Sequence, residues 1–309
     1  MPGEMIEKIS WRGWNNVYRI WNGTVQLLVL ADVGPRIIWY GFDEGENILH
    51  EVASDAGLLG GKEFRLYGGH RLWVSPEVER TYFPDNRPVA IERHGECARF
   101  TAAVEDSPPG SNLQKELEIE LEKTGSSLHL HHRVINHDTR PTELAPWAPT
   151  MMRAGGRAIL PLPPRIAMDK DHYLPVGPLT LWSFTDLADP RWRFGTEYIQ
   201  LIQRMDSNFR YQEQMTGIFN PAGWGAYFCN NFLFVKHVPI SPAATYPDFG
   251  CNFEIFTNRD FLELETLGPK VVLPSGAHVT HTETWQLLRD VPAGDDEQWI
   301  RSVLLPLVK

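Results

Sequence analysis

Proline and glycine limit this chain more than any other feature. Its 309 residues carry 24 prolines and 25 glycines, which leave little room for long helices. Between these breakers lie short runs with strand character, several alternating at period two, as in Leu128-His129-Leu130-His131-His132-Arg133-Val134. The pattern predicts strands over Val25–Leu30, Arg36–Tyr40, Ala98–Val104, Lys115–Glu122, Ser127–Ile135, Trp224–Phe228, Leu233–His237, Phe253–Thr257, Phe261–Leu267 and His278–Leu288. Helical period is confined to Asp295–Val303, with a short turn over Glu51–Leu59. The expected fold is all-β, a large antiparallel β-sandwich. Strand signals continue across the Pro-rich segments Ser107–Gly110 and Leu160–Arg165, which read as loops, so residues 1–309 are expected to form one domain.

Composition narrows the function classes. A hydrophobic content of 42% supports a substantial core. The net charge of −10 argues against nucleic acid and anionic membrane surfaces, both of which call for basic patches. Three cysteines without CxxC spacing suggest a reducing compartment. Met1–Trp14 has no basic region followed by an apolar run, and no stretch is long enough for a membrane helix, so the expectation is a cytoplasmic protein. Aromatics are plentiful, with 11 Trp, 15 Phe and 9 Tyr, and serve cores and sugar-stacking clefts alike.

Phe261-Leu262-Glu263-Leu264-Glu265-Thr266-Leu267-Gly268-Pro269 places two carboxylates on one strand face and two leucines on the other. That acidic face is either a solvated exterior or the lining of a polar pocket. Pairing with Phe253–Thr257 through a Thr257–Asp260 turn would bring Glu254 near Glu263 and Glu265. Carboxylates that close raise one another's pKa, which suits acid–base work near neutrality. Upstream, Gly68-Gly69-His70-Arg71-Leu72-Trp73 delivers a proton carrier, a forked cation and a stacking plate together, or is a β-turn leading into a core strand. Tyr82–Asn86 reads as a structural turn, and His137 as an exposed loop residue. His129, His131 and His132 show no dependable metal spacing, and no metal or other cofactor is expected. GxGxxG, P-loop, GxSxG, HExxH and CxxC motifs are absent.

Taken in order, these segments resemble the galactose mutarotase (aldose 1-epimerase) superfamily, and within it a bacterial branch. Val25–Ile38, with its Ala31–Ile38 segment, is similar to the family's opening strand pair and Gly-Gly-Arg-Ile turn, and Asn47-Ile48-Leu49 to the Asn-Leu-Leu that follows. Gly68–Trp73 resembles the sugar-contacting His and Arg segment. Phe261–Pro269, with Leu273–Gly276 and Thr282–Trp285, resembles the catalytic strand and its return partner. The resemblance implies a sugar cleft on a sheet face, where a glutamate base and a histidine acid open the sugar ring. On this chain it implies Glu265 as base, with Glu263 as the competing choice, and places His70 and Arg71 in the substrate-binding turn, with His70 the candidate to substitute as acid. Arg71, Trp73, Glu254, Trp147 and Arg36 would contact the substrate. Where the family's catalytic histidine aligns stands Ala145-Pro146-Trp147, and an indole N–H only donates. The expected ligand is a small carbohydrate, bound by a monomer or homodimer. An anomer-interconverting isomerase, a non-catalytic sugar-binding protein, and a lyase or hydrolase using two carboxylates all remain open. A phosphorylated sugar would draw on Arg36, Arg65 and Arg71.

Overall fold

The computed structural model describes residues 5–95, 97–107, 111–205 and 212–308. Strands dominate it, as the breaker pattern requires. The first sheet is a four-stranded antiparallel meander of Met5–Trp11, Trp14–Trp21, Val25–Leu30 and Arg36–Phe42. The second runs in the order Leu179–Leu181, Gln214–Ile218, Phe253–Thr257, Leu262–Leu267, Thr142–Met152 and Val271–Leu273, and Trp73–Ser75 also pairs with Thr142–Met152. The third has ten strands, with Phe232–His237, His278–Leu288 and Leu128–Asn136 adjacent near its middle. Single bridges Ile37↔His70 and His70↔Thr150 join the first sheet to the second.

Period-two alternation builds the core. Phe253, Ile255, Leu262 and Leu264 point inward from the second sheet and meet Tyr227, Phe234 and Trp285 of the third. Val25, Leu27 and Tyr40 bring the first sheet into the same cluster. The predicted strands Val25–Leu30, Phe253–Thr257 and His278–Leu288 have the expected bounds, and the other predicted strands differ only at their ends. The predicted late helix is a single α-turn, Glu297–Trp299, continuing as a π-helical turn, Ile300–Leu304. Its start is capped by the Asp296 carboxylate accepting from Trp299 N at 2.7 Å. The predicted Glu51–Leu59 turn contains a 3-10 turn at Ala53–Asp55. The predicted loop at Ser107–Gly110 lies, beyond Ser107, outside the described residues.

Thr142–Met152 is an interior strand despite Pro146 and Pro149. Proline lacks a ladder donor, and here the chain changes partner around it. Thr142–Leu144 pair with Val271–Leu273, whereas Trp147–Met152 pair with Leu262–Leu267. The proline carbonyls still accept, Pro146 from Gly268 N at 2.8 Å and Pro149 from Arg71 N at 3.2 Å.

Between the second and third sheets lies a polar network. The side chains of Lys236 and Glu283 are fully buried and meet at 3.1 Å. Lys236 Nζ also donates to the carbonyls of Ala148 (3.0 Å) and Leu264 (3.1 Å), across the gap on the second sheet. Glu283 in turn accepts from Trp285 Nε1 at 2.7 Å and from Thr266 Oγ1. Removing one member of such a pair strands a charge in the core. Lys236→Met should therefore lose about 3–5 kcal/mol of folding stability, read as a lowered urea midpoint, and adding Glu283→Gln should recover part of the loss. An unchanged midpoint in the single variant would contradict this role.

Candidate active site

The hairpin carrying the acids is set by its turn. Asn258 Oδ1 accepts from Asp260 N (2.8 Å) and Phe261 N (3.0 Å), and Thr257 Oγ1 donates to the Phe261 carbonyl at 2.9 Å. The resulting register opposes Glu254 to Glu265 and Phe256 to Glu263. Because Leu262 and Leu264 fill the core, this register puts the glutamates on the outer face of the second sheet. A one-residue slip would bury both acids among apolar side chains.

That outer face holds a cleft of about 350 Å³. Glu263 and Glu265 lie on its floor, beside Trp147 from the neighbouring strand. Trp73 and Tyr82 line it from one side, the two tryptophan rings meeting edge-to-face at 5.0 Å. Trp182, Phe184 and Met215 line it as well, with Glu77 and Glu213. The solvated-exterior alternative for the Glu-Leu-Glu face is thereby excluded: Glu265 is only 1% exposed.

Burial controls the electrostatics. It pushes Glu265 well above the usual carboxylate range, and the Glu263 charge adds to the rise. Trp147 Nε1 opposes it by donating to Glu265 Oε2 at 2.5 Å. Burial raises Glu263 to about 7 against the pull of the Arg71 guanidinium. Two interacting carboxyls of this kind share protons as a pair, the more deeply buried Glu265 holding its proton to higher pH. Glu254, directly opposite Glu265 and 1% exposed, is raised well above its ordinary value by burial and then by Glu265 and Asp248. It stands behind the cleft lining, not in it.

The Gly68-Gly69 run has a steric cause. Both residues have positive φ, and a Cβ would fall 2.2 Å from the His50 carbonyl oxygen at Gly68 and 2.0 Å from that of Ile37 at Gly69. The chain then sends His70 and Arg71 in different directions. Arg71 packs against Phe64 and Trp73, its guanidinium 4.8 Å from the Trp73 ring, and donates to the carbonyls of Arg65 and Leu66. It sits behind the cleft wall, close enough to favour the ionised form of Glu263.

His70 requires a correction. It was expected to act as acid opposite the glutamates, but it is fully buried on the inner side of the second sheet. Its Nδ1 lies 2.8 Å from Thr150 Oγ1 and its Nε2 lies 2.7 Å from His132 Nε2, while His132 Nδ1 meets the His281 carbonyl at 2.9 Å. A carbonyl only accepts, so His132 Nδ1 carries a proton and, in the neutral ring, its Nε2 is an acceptor. His70 Nε2 must then donate, and its Nδ1 accepts from Thr150. Burial holds both rings neutral, taking His70 well below its ordinary pKa and His132 to about 4. His70, His132 and Glu283 offer ligand atoms within 4.8 Å of one another, yet each is already engaged within the protein.

Arg36 is also corrected. Its fully buried guanidinium donates to the carbonyls of Leu66 (2.8 Å) and Gly68 (3.1 Å) and to Asp85 (2.6 Å), so it braces the loop behind the site and does not line the cleft. Trp182, Phe184, Glu213 and Met215 escaped the sequence reading. They come from short elements distant in sequence from the Glu-Leu-Glu strand, and the available signal was the Trp-x-Phe alternation at 182 and 184.

Acids and aromatics on the outer face of a sandwich this size invite comparison with known structures. A galactose mutarotase-like protein from Lactobacillus casei superimposes with a TM-score of 0.55 at 10% identity, covering 88% of this chain and 100% of the other. This is the galactose mutarotase-like fold. A galactose mutarotase related enzyme from Lactobacillus acidophilus matches with a TM-score of 0.54 at 10% identity, over 91% of this chain and 100% of that one. A TPR-domain containing protein from Parabacteroides distasonis matches at 0.56 and 14% identity, over 90% of this chain, which spans only 48% of that structure. No family model matches the sequence, and no curated protein does. Among the described residues, no helix is long and apolar enough to cross a membrane.

The raised pKa of Glu254 has a measurable consequence. A carboxyl raised in the folded state contributes stability that is fully present below its unfolded pKa and lost as pH rises through the folded one. Glu254→Gln removes that loss, so its advantage in urea midpoint over the parent should widen as pH rises above the ordinary carboxylate range. Parallel pH profiles would show that Glu254 ionises normally.

Proposed function

We propose that this chain is a carbohydrate-binding protein whose cleft interconverts sugar anomers by general acid–base catalysis. The observation that carries the reading is the Glu263–Glu265 pair, set at raised pKa on the floor of an aromatic cleft. Pyranose rings present apolar C–H faces to such walls, and their hydroxyls suit carboxylates. With His70 turned inward, both proton-transfer roles fall to the pair.

Glu265, the more buried, holds a proton and gives it to the ring oxygen. Glu263, kept ionisable by Arg71, takes the proton of the anomeric hydroxyl. The C1–O5 bond breaks to a carbonyl and an open-chain hydroxyl, and rotation about C1–C2 turns the carbonyl face. Reclosure returns the proton on O5 to Glu265 and passes the proton on Glu263 to the carbonyl oxygen, which becomes the new anomeric hydroxyl. This exchanges the base role that the family resemblance gave Glu265, because burial makes Glu265 the better proton holder. Trp147 supplies the aromatic floor and a hydrogen bond to Glu265 in place of an imidazole.

One observation favours a second reading, a sugar-binding protein without turnover: no histidine lines the cleft among the described residues. NMR exchange spectroscopy on a panel of aldoses separates the two. The isomerase reading expects faster anomer exchange with at least one sugar, falling about 10²-fold or more in Glu263→Gln and in Glu265→Gln. Sugar binding without acceleration would leave the binding protein.

A further inference from the structure

The cleft's charge has a single sign. Its lining includes Glu77, Glu213, Glu263 and Glu265, and among the described residues no Lys, Arg or His lines it. The cation nearest in effect, Arg71, lies behind the wall, its Nη2 donating to two backbone carbonyls and its guanidinium packed on two aromatic rings, while its buried Nη1 has no hydrogen-bond partner. Glu265 is held through Oε2 by Trp147, and Glu263 lies opposite Phe256, a ring that offers no donor. Indoles Trp73, Trp147 and Trp182 complete the enclosure. Carboxylates interleaved with indole faces form a cation receptacle, because ring faces and carboxylates both attract positive charge.

We propose that the sugar bound here carries an amine, as in a 2-amino-2-deoxyaldose, with its ammonium set among these carboxylates and against the indole faces. This rests on the carbohydrate reading of the cleft and specifies its substrate class. A phosphate or uronate would add like charge to a group of acids that already repel one another. A neutral sugar would leave that repulsion in place. An ammonium relieves it, and by stabilising the ionised form of Glu263, raised to about 7, it releases the share of a proton that Glu263 holds near neutral pH while Glu265 keeps its own.

Isothermal titration calorimetry near neutral pH, in two buffers of different ionisation enthalpy, tests this with glucosamine, glucose, N-acetylglucosamine, glucuronate and glucose 6-phosphate. Glucosamine should bind about tenfold or more tighter than glucose and release protons that glucose does not. N-acetylglucosamine, which keeps the C2 nitrogen without its charge, should lose the advantage. Glu263→Gln should bring glucosamine towards parity with glucose. Should that variant fail to fold, Glu213→Gln on the exposed rim should reduce the preference by severalfold. Equal binding of glucosamine and glucose, or tighter binding of either acidic sugar, would overturn the amine proposal and leave the carbohydrate cleft standing. Failure of every sugar to bind would remove both.

Discussion

One buried ammonium fixes the geometry on which the site depends. Lys236 reaches from the third sheet to the carbonyls of Ala148 and Leu264, on the two strands that present Trp147 and Glu265 to the opposite face. Its ion pair with Glu283 supplies the countercharge, and three protein acceptors replace the water it has lost. The tryptophan–glutamate contact on the outside thus rests on an inner anchor at neighbouring residues of the same two strands. Lys236 also acts through the sheet, as one of the two positive groups that moderate the rise in Glu263.

The second sheet separates two polar systems that burial treats differently. Inside, Thr150, His70, His132 and the His281 carbonyl form a proton-ordered chain of neutral groups, complete without water. Burial depresses the imidazole pKa values and so keeps the chain neutral. Outside, Glu263 and Glu265 face a cleft with few internal donors, and burial raises them instead. The inner groups have spent their hydrogen-bonding capacity on one another. The outer pair retains the capacity to exchange protons with a ligand, which is why the chemistry is assigned there.

Period-two alternation made much of this legible in the sequence. Leu262 and Leu264 had to be inside, so Glu263 and Glu265 had to share the other face, and the Asn258 turn set Glu254 opposite Glu265. The direction taken by His70 was not legible. The segment from Gly68 to Trp73 reads identically whether its histidine points inward or outward. The choice depends on His132 and Thr150, 62 and 80 residues away, completing an inner chain of hydrogen bonds. Arg36 was misread for a similar reason, since its acceptors are the Leu66 and Gly68 carbonyls, which no side-chain pattern announces. Trp182 and Glu213 were missed because cleft walls built from short, distant elements leave no local period.

Carboxyl ¹³C NMR titration of Glu263 and Glu265, with Gln variants for assignment, tests the central claim most directly. The account predicts that at neutral pH the pair still holds a proton, that Glu265 releases its own at higher pH than Glu263, and that Glu263→Gln lowers the Glu265 pKa. Independent titration of both carboxyls near the ordinary glutamate value of about 4.3 would contradict it.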